Sequence, residues 1–130
     1  MGYRSDVKYV IVFPSIEKRD EFLVKQKMLG DKYIQEAVNE LEVIKDRPIV
    51  RFAMDGVKWY ATYEDVKAHC ALMLEAEENF GAVYSFVRVG ENLNDIEMQE
   101  SANTCIQTDE GEIYVDELVR IVRKVEFDFD

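Results

Sequence analysis

From Ala82 to Val89 the chain is apolar at nearly every position, the pattern of a β-strand covered on both faces. Such a run is expected in the centre of a sheet, and the remaining segments have to be arranged around it. Val7 to Phe13 is a second β-rich run, ended by Pro14-Ser15, which supplies a bend and then a side-chain oxygen to cap a helix. That first helix is predicted to run to about Leu29, with Ile16, Phe22, Leu23 and Met28 toward the core and Lys18, Arg19, Lys25 and Lys27 in water. Gly30 suits a left-handed helix end, and Asp31 suits the cap of a second helix. Tyr33, Ile34, Ala37, Val38 and Leu41 recur with helical spacing, ending near Glu42.

Pro48 to Met54 and Val57 to Ala61 flank Asp55-Gly56, a pair suited to the positive φ values of a two-residue turn. A hairpin is the expectation, with Met54 opposite Val57, Phe52 opposite Trp59 and Val50 opposite Ala61. Thr62 and Asp65 then have the spacing of a capping box opening a third helix. Its stripe is Val66, His69, Cys70, Met73, Ala76 and Phe80, and Gly81 ends it. After Gly90, the segment Glu91 to Glu100 fits either an edge strand with Ile96 and Met98 inward or a turn and a half of helix; an irregular acidic loop entering a short strand is the favoured reading, and Asp109-Glu110-Gly111 reads as a turn before Ile113 to Val115. Val119, Ile121, Val125, Phe127 and Phe129 alternate with charged residues, as in a long final strand. Together these segments indicate one α+β domain over residues 1–130, a two-layer sandwich of a mostly antiparallel sheet and about three helices.

A chain of 130 residues with 48% hydrophobic content can bury an adequate core without a metal or a disulfide. Its charge is lopsided. Residues 1–73 hold twelve acids and twelve bases, whereas residues 74–130 hold fifteen acids and four bases, so the second part carries the entire net charge of −11. Such a surface repels nucleic acid and anionic membranes and attracts basic surfaces. No apolar run reaches the length of a membrane span, and the opening MGYRSDVKYVIVF lacks the pattern of a secretory signal. Cys70 and Cys105 are isolated, so reduced thiols in the cytoplasm are expected; spacing alone leaves a bridge between them open.

GYRSDV near the start, KWYATYEDV at 58–66 and YSFVRVGENLNDIE at 84–97 resemble, in matching order, a group of small orphan proteins encoded by phages and prophages. The resemblance implies a bacterial cytoplasmic setting. It supplies no catalytic residue to carry over.

His69 beside Cys70 invites comparison with a metal site or an activated nucleophile. Neighbouring helical residues diverge by about 100 degrees and no further ligand lies at suitable spacing, so a packed structural histidine is the better reading. The run Glu91, Asn92, Asn94, Asp95, Glu97 offers oxygen ligands but lacks the glycine and terminal glutamate of an EF-hand loop. No nucleophile elbow, phosphate loop or dinucleotide fingerprint is present, so no cofactor is expected and a non-enzymatic role is favoured.

Glu75, Glu77, Glu78, Glu91, Asp95, Glu97, Glu126 and Asp128 are the candidate contacts for a basic protein of phage or host, on a surface resembling a nucleic-acid backbone. Solubility is the plainer explanation of the same charges. The alternative is a small enzyme or ligand-binding domain with a pocket between sheet and helices, where Tyr60, Tyr63, His69 and Tyr84 would converge. Arg51, Lys58 and Tyr60 on the outer face of the expected hairpin are explained by ordinary cross-strand pairing. Pairing of an exposed edge strand between copies is a third option.

Overall fold

The computed structural model describes residues 2–92 and 94–118. In chain order the elements are β1 (Ser5–Val12), α1 (Ile16–Leu29), α2 (Lys32–Glu40), β2 (Glu42–Ile44), β3 (Ile49–Val57), α3 (Glu64–Phe80), β4 (Val83–Gly90) and β5 (Ile96–Glu100). They are followed by β6 (Cys105–Thr108), β7 (Gly111–Tyr114) and a 3₁₀ turn at Val115–Glu117. The first five strands form one sheet in the order β2-β3-β1-β4-β5, and β6 pairs with β7. Every pairing among the described residues is antiparallel. This is the α+β class with three helices that the sequence pattern indicates.

Side-chain alternation along β1 explains the layering. Val7, Tyr9 and Ile11 point to one face and meet Val50 and Phe52 of β3, Tyr84 and Phe86 of β4, and Phe22, Val38 and Leu72 from the three helices. Val10 and Val12 point the other way, onto Ile49, Val83, Ile113 and Val115. Helices therefore cover one face, while the β6–β7 hairpin and the 3₁₀ turn cover part of the other. The apolar run in β4 is an interior strand as its composition indicates, but the middle position belongs to β1.

The expected hairpin around Asp55-Gly56 does not form. β3 continues through both residues to Val57 and pairs with β1, where the register shifts between Ser5 and Val7. Gly56 has φ +65°, and the Asp6 carboxylate accepts its amide at 2.9 Å. The positive φ that suggests a turn is used in a β-bulge, which makes the same demand on the backbone. Trp59 still reaches Phe52, with ring centroids 6.1 Å apart, from the loop after β3. No atom lies within 4 Å of where a Gly56 Cβ would stand. Gly56→Ala is therefore expected to cost only the left-handed penalty, about 1–2 kcal/mol, with Gly56→Asn milder, as measured by urea denaturation.

Other local expectations are also corrected. Gly30 is extended, with φ −75°, and not left-handed, whereas Asp31 caps α2 as expected, accepting from Ile34 N at 2.9 Å. α2 stops at Glu40, because the chain then enters β2. Tyr63 precedes α3 without a side-chain cap, and the Asp65 carboxylate turns to Val66 N, so Thr62 and Asp65 make no capping box. Gly81 does close α3 in the left-handed conformation. On α1, Met28 is exposed and Ile16 partly so, whereas Arg19, Phe22 and Gln26 are buried. The buried stripe thus includes an arginine, whose guanidinium donates to carbonyls of the β2–β3 turn. Ile96 and Met98 on β5 are exposed. The final strand expected over 119–129 lies outside the described residues.

Candidate functional site

β4 and β5 hold the charged end of the site. Arg88 interrupts the apolar run of β4, and β5 places Glu97 directly opposite it. Its Nε donates to Glu97 Oε1 at 2.9 Å, its Nη2 to Asp95 Oδ1 at 2.7 Å and its Nη1 to Ser5 Oγ at 3.0 Å. A guanidinium inside a covered strand requires such partners. These bonds, that to Asp95 foremost, raise its pKa further, so it stays cationic.

Tyr3 locks the loop before β5 in place. Its hydroxyl donates to Asp95 Oδ2 at 2.6 Å and accepts from Asn92 N at 3.0 Å. Its amide donates to the Tyr60 hydroxyl at 2.7 Å, and that hydroxyl donates back to the Tyr3 carbonyl at 3.1 Å. Gly90 is required beneath this network, because a Cβ there would run into Tyr3 and the Asp95 carboxylate.

Between this charged end and the start of α3 lies a cleft of about 720 Å³. Trp59, Tyr60 and Phe86 give it aromatic walls, and Arg88, Asp95 and Glu97 form its polar rim. Val66, Lys67 and Cys70 enter from α3. Burial, with Glu97 contributing, pushes the Cys70 thiol above its ordinary pKa, so it is a thiol and a weak nucleophile at neutral pH. Cys70 and Cys105 are both free.

The cleft lies between the sheet edge and α3 alone, and of the four residues expected in a pocket only Tyr60 lines it. Tyr63 stacks edge-on against Tyr60 with centroids 5.0 Å apart, and Tyr84 is buried in the core. His69 lies behind Trp59, with ring centroids 5.6 Å apart. It is buried between the Tyr9 hydroxyl, 2.6 Å from Nδ1, and Glu40 Oε1, 2.9 Å from Nε2. Burial lowers the His69 pKa despite Glu40, and burial raises that of Tyr9. Tyr9 therefore donates to Nδ1, leaving the Nε2 proton for Glu40. This chain has the order of a catalytic relay, but its hydroxyl is buried in the core and works as a structural tie.

The acids singled out from the sequence fall into two groups. Asp95, Glu97 and Glu91 gather near the cleft, where Glu91 accepts Arg4 N at 2.6 Å. Glu75, Glu77 and Glu78 lie near the other end of α3, about 16 Å along the axis from Lys67 to Glu78 at the usual helical rise. Glu75 pairs with Lys25 at 2.7 Å, which with Asn79 holds its carboxyl below the ordinary range. Glu77 accepts Ala102 N at 2.8 Å, and Glu78 is exposed. Glu126 and Asp128 lie outside the described residues. Much of the acidic excess near α3 and β5 thus secures loops and strand ends of this chain.

Trp59, Arg88, Phe86 and Tyr3 are the site residues that sequence reasoning missed. Arg88 carried a usable signal, being the only cation within a run that is otherwise apolar or small. Trp59 was assigned to a hairpin that does not form, which hid its place on the wall. No helix among the described residues is long and apolar enough to cross a membrane. No family model, curated protein or solved structure matches the chain.

Proposed function

We propose that this chain is a non-enzymatic binding protein that holds a basic protein partner at the cleft between α3 and the β4–β5 edge. The sequence resemblance suggests a phage or prophage accessory protein acting in the bacterial cytoplasm on a host or phage partner. The supporting observation is the pairing of an aromatic cleft with a rim where one guanidinium faces two carboxylates. That trio retains one negative charge, and the chain's charge of −11 adds long-range attraction for a cationic partner. The described lining residues hold no histidine, and the thiol among them is poorly ionised, which favours binding over catalysis.

Two charge reversals of equal size test the reading. Glu97→Lys changes the rim, while Glu78→Lys changes the far end of α3 by the same amount. Affinity capture from bacterial lysate at low ionic strength is expected to retain a basic protein with the unaltered chain and with Glu78→Lys. It should lose that protein with Glu97→Lys and when salt is raised. Equal loss with both variants would reduce the effect to net charge, and indifference to both would remove the cleft as the binding site.

A further inference from the structure

Resting on that reading, we infer that the cleft receives an arginine side chain of the partner, its guanidinium lying along the aromatic wall and pairing with Glu97. Glu97 uses Oε1 for Arg88 and is half exposed, at 52%, and its Oε2 has no hydrogen-bond partner among the described residues. Asp95 is already engaged by both Arg88 and the Tyr3 hydroxyl, which makes Glu97 the acceptor for an incoming donor. A second guanidinium would balance the rim, two cations against two carboxylates. Lys67, on the α3 side, is offset by Glu64 at 3.3 Å.

The walls favour arginine over lysine. A planar, weakly hydrated guanidinium stacks on indole and phenol faces while its edge remains available to a carboxylate. An ammonium is a more strongly hydrated point charge and gives up more solvation on entering such a cleft. A volume of about 720 Å³ exceeds what one side chain fills, leaving room for flanking residues of the partner. A neutral urea of the same shape, as in citrulline, would keep the stacking and lose the charge pairing.

Trp59 is the only tryptophan in the chain and lines the cleft, so its emission reports occupancy. N-acetyl-arginine amide, with the corresponding lysine and citrulline amides, would be titrated into the protein at low ionic strength. Arginine amide is expected to give a saturable change, lysine amide to bind several-fold more weakly and citrulline amide not to respond. Glu97→Gln should weaken arginine binding about tenfold, while Glu78→Gln leaves it unchanged. A citrulline response equal to that of arginine would overturn the cationic ligand and leave the cleft as a binding site. Silence toward all three probes, with partner capture still dependent on Glu97, would overturn the arginine contact alone. Silence together with capture indifferent to Glu97 would overturn both proposals.

Discussion

Arg19→Met should lower the unfolding free energy by about 2–3 kcal/mol, a large effect for a charged residue on a helix of this length. Arg19 is only 6% exposed. Its Nη1 donates to the carbonyls of Ile44 at 2.8 Å and Arg47 at 2.6 Å, and its Nε and Nη2 both reach Asp20 Oδ1. Methionine keeps most of the buried stem and removes the fork, so the loss isolates the charge-assisted hydrogen bonds. The two carbonyls retain one backbone donor each, from Arg47 N and Ile49 N, which limits the cost. Arg19→Lys should recover only part of the loss, because an ammonium cannot span the carbonyls and the carboxylate together. Urea denaturation followed through Trp59 emission measures the effect. A change below about 0.5 kcal/mol, the range of an ordinary surface substitution, would show that the turn does not depend on Arg19.

That arginine illustrates which parts of the fold were legible in the sequence. Periodicity located all three helices and the strands β1 and β4, since burial on one stripe or on both faces leaves a repeating mark. It misassigned Arg19, because a single side chain cannot announce that carbonyls some 25 residues later will turn toward it. Asp55-Gly56 failed for a different reason: a positive φ is required by hairpin turns and by bulges alike, and only the pairing partner β1 distinguishes them. Of the four residues expected to converge on a pocket, only Tyr60 lines this cleft. Its polar rim arises from a cross-strand register, Arg88 opposite Glu97, and its walls from the loop after β3. Long-range pairings of this kind are not encoded in local spacing. The acidic excess was plain in the composition, yet composition cannot separate carboxylates that bind outward from those, like Glu77, that satisfy a backbone amide of their own chain.

His69→Ala should be among the most destabilising substitutions, at about 3–5 kcal/mol, comparable to truncation of a buried aromatic ring. The imidazole packs against Phe52 with centroids 4.3 Å apart and touches Tyr9 and Trp59. Its removal leaves a ring-sized void and deprives the buried Tyr9 hydroxyl of its acceptor. His69→Leu fills most of the void and so isolates the hydrogen-bond loss, and Tyr9→Phe in that background should restore part of the stability by removing the stranded hydroxyl. The same contacts make stability depend on pH. Burial favours neutral imidazole and outweighs Glu40 and Asp65, so the folded-state pKa lies below the unfolded value of about 6.5. The unfolded chain therefore binds a proton first as pH falls. The stabilisation is complete above about pH 6.5 and is lost progressively as pH drops from there through the folded-state pKa. Protonated Nδ1 would also face the Tyr9 hydroxyl as a second donor, which requires that hydroxyl to reorient inside the core. Groups remote from residue 69 are common to the unaltered protein and His69→Leu and cancel in the difference between their unfolding free energies, which therefore reports His69 together with its partner Glu40. That difference should shrink as pH is lowered from 7.5 to 5 in urea melts. A difference that stays constant over this range would mean that His69 is not held neutral by its burial.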